Sequence, residues 1–352
     1  STFDYGDPFH KSLTGESIRR LGEIKYYLNT YIKKPLKKEQ NHIRANLIIG
    51  AAQILYMRVP SYAAVNASVE IAKKESRHHV KFINAILRQV SRDFKNNKLK
   101  KLDSTINIPS IITEKWKKIL CYDQLKKVAN QHLVIPPSLD ISIFPNEDIK
   151  KWEINLQGKI FGSSNIRLQN NPGKIDKLYG YKDGKWWIQD IAAQLPVKIL
   201  LSSIKDKANI IDLCAAPGGK TAQLLANNLE VTSIEYSIKR AELFKKNLSR
   251  LNLKTKLLIE DANLYKPKKL ADAILLDAPC SSSGTVRKNP DILWRLAYNK
   301  NMYFERLKSL VKIQSNLLKS ASKMLKPGGI LLYSVCSLEI EEGENQIIDF
   351  IK

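Results

Sequence analysis

Two cysteines stand where apolar, strand-like runs end. Cys280 closes "DAPC" after "ADAILLDA", and Cys336 sits in "YSVCS" after "GGILLYS". A free cysteine alone reads as core filler. Two thiols on neighbouring strand tips suggest covalent chemistry, because a thiolate is a strong nucleophile once its pKa is brought down. Acids recur at the same kind of position: Glu235, Asp261 and Asp277 each close an apolar run. Any one of them reads as a cap or a surface residue. Three in succession fit a nucleoside, with Glu235 on the ribose hydroxyls, Asp261 near an adenine amino group and Asp277 towards the reacting end.

These acids follow "DLCAAPGGKT" (residues 212–221), which ends like a phosphate-gripping P-loop. A P-loop needs glycine five residues before the glycine of its Gly-Lys-Thr, and Cys214 occupies that position. Pro217 has no N–H to give a phosphate. What remains is a strand ending in an acid, a tight Gly218-Gly219 turn and a helix start, which suits close backbone approach by a nucleoside. All five histidines lie at or before His132, so the C-terminal half has no Ser-His or Cys-His dyad of its own. Carboxylates, lysine and thiols must do any chemistry there. The four cysteines, Cys121, Cys214, Cys280 and Cys336, form no CxxC pair. Zinc and a disulfide framework are therefore poorly supported, and a reducing, cytoplasmic setting is expected.

The elements that position these groups alternate from about residue 205. "ANIIDLCA", "EVTSIEYS", "TKLLIED", "ADAILLDAP" and "GGILLYSVCS" read as strands, with helices such as "IKRAELFKKNLSRLN" between them. Such alternation predicts a parallel, doubly wound sheet whose ligands sit beyond the carboxyl ends of its strands. Residues 15 to about 100 carry helical periodicity instead and predict an all-α bundle. "KNNKLKK" (95–101) looks like a solvated connector. A helical pair, a break at Pro136-Pro137, short strands and the Trp186-Trp187 pair make a small α/β module, in which the tryptophans read as packing. The expected division is 1–105, 106–190 and 191–352.

A net charge of +24 over 352 residues points to a polyanion, although a Lys, Ile and Asn bias throughout the chain accounts for part of it. No apolar run approaches the roughly 18 residues of a membrane span. No signal-peptide pattern opens the chain, which starts on Ser and so reads as a cut or processed start.

"DLCAAPGGKT", "DAPCSSSGTVRKNPDILWR" and "YSVCSLEIEEGENQ" resemble, in order and spacing, the motifs of the RNA cytosine-C5 methyltransferases of the Sun/Fmu (RsmB) kind. "AAVNASVEIAKK" with "FINAILR" resembles the NusB-like domain that the bacterial 16S rRNA enzymes carry in front. The resemblance implies a NusB-like RNA-binding bundle, a linking module and a Rossmann-like methyltransferase domain binding S-adenosylmethionine across Cys214, Ala215, Ala216, Pro217, Gly218, Gly219 and Lys220, with Glu235, Asp261 and Asp277. It implies Cys336 as the nucleophile that adds to cytosine C6 and Cys280 as the residue assisting product release. Asp277 would hold the base edge or the cofactor, helped by Lys220. Arg287 and Lys288 are candidate RNA phosphate contacts. The partner implied is RNA, with 16S rRNA favoured by the NusB-like front and tRNA or a non-catalytic assembly role as alternatives; a monomer without metal or membrane is expected. Val335 stands where the family carries Thr. The chain stops at Lys352, where family members continue through two further strands, and so reads as truncated after the fifth strand.

Overall fold

A computed structural model describes residues 7–134, 138–169, 173–205 and 207–352. The break expected at Pro136-Pro137 lies outside the described residues. Helices come first: α1 (Pro8–Arg19), α2 (Leu21–Tyr31), α3 (Asn41–Tyr56), α4 (Ser61–Glu75), α5 (Val80–Lys95), α6 (Ser110–Trp116) and α7 (Tyr122–His132). There follow β1 (Asp140–Ile143), α8 (Ile149–Asn155), β2 (Gly158–Ile160), β3 (Asn165–Leu168), β4 (Trp186–Ile188) and α9 (Ile191–Ser203). The alternating part then runs β5 (Asn209–Leu213), α10 (Gly219–Ala226), β6 (Glu230–Ile234), α11 (Ile238–Arg250), β7 (Lys256–Leu258) and β8 (Ala271–Asp277). It closes with α12 (Asp291–Leu296), α13 (Lys300–Ser322), β9 (Leu325–Ser334) and α14 (Glu344–Ile351).

The chain divides into two compact units. The first holds the residues up to Val134 together with Thr285–Tyr303. Its bundle core comes from helices such as α5, which buries Ile83, Ile86, Leu87 and Val90, the i, i+3, i+4, i+7 stripe of an amphipathic helix. A second core of the same unit joins Ile112 and Trp116 of α6 and Leu125 of α7 to Val286, Ile292, Leu293 and Leu296. The residues of α6 and α7, assigned by sequence to the linking module, thus pack with α12, which comes more than 150 residues later. Buried beside them, His132 is pushed down to about 4 by loss of solvation and by Arg19, whose guanidinium donates to the His132 carbonyl (2.7 Å).

The second unit holds two sheets. Among the described residues the smaller is antiparallel, in the order β2-β3-β1-β4. Asp140 fixes it, accepting two hydrogen bonds from the Arg167 guanidinium (2.7 and 2.9 Å) and one from the Ile191 N–H (3.1 Å) at the start of α9. Trp186 and Trp187 are buried here, and Trp187 packs on Ala222 of α10 and on Leu251, which follows α11. The larger sheet is parallel, in the order β7-β6-β5-β8-β9, so strand order reverses between β5 and β8. Side chains alternate across it: Ile210, Ala273 and Leu275 enter one core, and Ile211, Leu213, Ile274 and Leu276 enter the other. The runs "NIIDL" and "ADAILLD" are apolar throughout because both faces are covered. This is the Rossmann-like arrangement expected from the alternation.

Candidate active site

The loop from Cys214 to Gly218 leaves β5 and enters α10 through Gly218, at φ +99°. Only glycine adopts that conformation readily, and a Cβ there would also come within 2.8 Å of Leu248 Cδ1. Glu235 follows β6 directly and is buried; it accepts from the Ala216 N–H (3.2 Å) and the Ser237 N–H (2.9 Å), with Arg240 3.4 Å away. Arg240 also donates to the Ala216 carbonyl. The second acid tip therefore braces the loop of the first, and Glu235 Oε1, which accepts from Ser237 alone among these contacts, retains a further acceptor position. Cys214 lies beside them with its thiol pushed up to about 12, chiefly by burial and then by the Glu235 charge, so it is inert as a nucleophile.

Asp212, inside β5, is fully buried; Thr221 Oγ1 of α10 donates to it at 2.5 Å. Burial pushes its carboxyl up to about 7 despite that bond. Asp261 lies three positions past the end of β7, where it accepts from the Asn263 backbone and side-chain nitrogens (2.8 and 3.0 Å). It forms an Asx turn at the strand exit and leaves its other carboxylate oxygen outside those bonds.

At the tip of β8, Asp277 accepts from Lys220 Nζ of α10 (2.6 Å) and from Ser334 Oγ of β9 (3.0 Å). Beyond it the two cysteine-bearing loops meet. Cys280 Sγ and Cys336 Sγ are 3.3 Å apart, with Ser282 Oγ 3.4 Å from Cys336 Sγ. The Gly284 N–H donates to the Cys336 carbonyl (3.1 Å), and a Cβ on Gly284 would reach that oxygen at the same distance. Cys336 is exposed and Cys280 is half-buried.

The pair holds one thiolate. Cys336 is pulled down to about 6, first by the Cys280 S–H that it accepts and then, against partial burial, by Ser282; Asp277 opposes the shift and Lys220 favours it. Cys280 goes up, first because it donates to Cys336 and then through burial. Alkylation of Cys336 by iodoacetamide should therefore rise with pH and reach half its maximum near pH 6 rather than in the ordinary thiol range of about 8.5. Peptide mass mapping of the labelled protein across pH checks this; a midpoint in the ordinary range overturns the assignment of charge to Cys336.

Arg287 and Lys288 belong to the first unit, whereas both cysteines, Asp277 and Lys220 belong to the second. The Arg287 carbonyl accepts from Arg19 (3.1 Å). Among the described residues no cluster of His, Cys, Asp and Glu could hold a metal, and no helix is long and apolar enough to cross a membrane. Reading the sequence did not single out Ser282 and Ser334, although both lie inside the quoted motifs, nor Arg240 of α11.

Residues 199–352 match the family model described as 16S rRNA methyltransferase RsmB/F, and residues 6–92 match the NusB family. Ribosomal RNA small subunit methyltransferase B of Proteus mirabilis is 31% identical over 95% of this chain and 81% of its own length; that of Shewanella oneidensis is 30% identical over 95% and 78%. Fold, site and these matches together define an S-adenosylmethionine-dependent methyltransferase. Among solved structures, PH0851 shares the fold over 99% of this chain and 82% of its own (TM-score 0.76, 22% identity). A methyltransferase homolog from Pyrococcus horikoshii covers 68% of this chain and 77% of its own (TM-score 0.53, 26% identity). The chain belongs to the RsmB/F family of 16S rRNA methyltransferases.

Proposed function

We propose that this chain methylates C5 of a cytosine in 16S rRNA through a covalent bond between Cys336 and C6. The observation that carries the reading is the pair of thiols 3.3 Å apart, with the negative charge on Cys336, at the switch-point edge of the sheet. Cytosine C5 is a poor nucleophile until a thiolate bonds to C6 and the C5=C6 π pair shifts onto C5. After methylation C5 still carries its proton. Once the Cys336 sulfur is bonded to C6, Cys280 gives up its own proton to solvent and then takes the C5 proton; the C5–H electrons re-form the C5–C6 double bond, and the C6–S bond breaks to return the Cys336 thiolate.

The residues around the first loop fit S-adenosylmethionine. The segment Cys214–Lys220, Glu235 and Asp261 would hold it, since Glu235 keeps acceptor capacity for the ribose hydroxyls and the N-terminus of α10 opens beside it. When bound, it supplies an electrophilic methyl group on a sulfonium. Asp277, held by Lys220 and Ser334, stands at the reacting end to hold the base edge. The base must leave its stack to reach the thiols, so the substrate is a flipped or single-stranded cytosine. Arg287, Lys288 and the NusB-like helices bind RNA phosphates.

The test is transfer of labelled methyl groups to unmodified 16S rRNA, followed by digestion to nucleosides. The label should appear in 5-methylcytidine. Label in another nucleoside, or in tRNA only, overturns the proposal, and binding of rRNA without any transfer would favour an assembly factor.

A further inference from the structure

Glu342 is wholly buried in the connection between β9 and α14. Its Oε1 accepts from the Ser281 N–H (2.9 Å) and from Gln314 Nε2 of α13 (3.0 Å). Its Oε2 accepts from Ser281 Oγ (2.5 Å) and Ser337 Oγ (2.6 Å). Ser281 follows Cys280 and Ser337 follows Cys336, so one carboxylate grips the residue next to each thiol. The two serine hydroxyls are themselves 3.0 Å apart. Gln314 reaches on to the Pro279 carbonyl (2.9 Å), and Tyr333 donates to the Glu342 backbone carbonyl (2.7 Å). A buried carboxylate is tolerated only when it is fully hydrogen-bonded. Here every donor it uses belongs to a cysteine loop or to the helix behind it.

We infer that Glu342 is a positioning residue that ties the Cys280 loop to the Cys336 loop and so sets the distance between the two thiols. This rests on the covalent mechanism proposed above. Glu342 acts through Ser281 and Ser337, and an ångström of misplacement between reacting groups is costly: about 100-fold in rate is a representative loss.

The full chain is tested with Glu342→Ala, Glu342→Gln and the double variant Ser281→Ala/Ser337→Ala, which keeps the carboxylate and Gln314 should the first variant fail to fold. Two readouts are taken: kcat and KM for methyl transfer to rRNA, and the yield of the Cys280–Cys336 disulfide with diamide, which accepts the two thiol hydrogens as it becomes the hydrazine. In folded Glu342→Ala and in the double variant, kcat should fall about 100-fold with KM little changed, and the disulfide yield should drop. Glu342→Gln should restore most of both, because its amide oxygen still accepts from the Ser281 N–H while the hydroxyls turn to accept from its N–H. Unchanged kcat and disulfide yield in the folded double variant overturn the inference. So does a Glu342→Gln variant as slow as Glu342→Ala, which would make charge rather than the tie the operative property. Failure of the covalent reading looks different: Cys336→Ala would methylate normally whatever the Glu342 variants do.

Discussion

Cys336→Ala should abolish methyl transfer, with a loss on the order of 10⁴-fold or more, as for removal of other covalent nucleophiles. No neighbouring group can replace it. Cys214 is buried with its thiol raised to about 12, and Cys280 holds its proton because it donates to Cys336. The alanine leaves the β9 tip otherwise intact, since that loop is held by Ser337, Leu338 and the Cys336 carbonyl rather than by the thiol. Binding of S-adenosylmethionine should therefore persist while turnover is lost, and calorimetry beside single-turnover transfer separates the two. Residual transfer within about tenfold of the wild type, against the far larger loss expected for a nucleophile, would remove Cys336 from that role.

Cys280→Ala should produce the opposite phenotype: attack proceeds and release does not. In the resting pair Cys280 stays protonated beside the Cys336 thiolate. Once Cys336 sulfur is bonded to C6 it carries no charge and no longer needs the Cys280 proton, so the main cause of the raised Cys280 pKa disappears. Cys280 can then lose its own proton to solvent, and the resulting thiolate is a competent base at the stage when the C5 proton must leave. Without it the C6–S bond persists, and a protein–RNA band resistant to denaturing gels should accumulate only when both S-adenosylmethionine and Cys336 are present. Absence of that band, with methylated RNA released at the normal rate, would mean that another group or solvent removes the proton.

Much of this was legible because strand tips and switch points are written in local patterns. "ADAILLD" and "NIIDL" had to be buried on both faces, so their ends had to face the ligand crevice, and Cys280, Cys336, Asp277 and Lys220 came together there. Asp261 was placed less closely, because the apolar run "TKLLIED" outlasts the hydrogen-bonded strand, which ends at Leu258. Glu342 was hidden for a different reason. "SLEIEEGENQ" offers four acids, of which Glu339 and Glu342 are both buried, and only the tertiary positions of Ser281 and Gln314 show that Glu342 is the one held between the cysteine loops. The pairing of α6 and α7 with Val286 and α12 was equally invisible, since periodicity tells which face is apolar but not which distant segment covers it.

That pairing means the chain is woven rather than strung. The polypeptide leaves the first unit after Val134, builds β1 to β8, returns at Thr285 to complete the earlier core, and departs again after Tyr303. No single cut can therefore yield two intact pieces: a fragment starting after Val134 would carry Ile292, Leu293 and Leu296 stripped of the Ile112 and Trp116 surface that shelters them. Transplanting the second unit onto another helical domain would require grafting this excursion along with it.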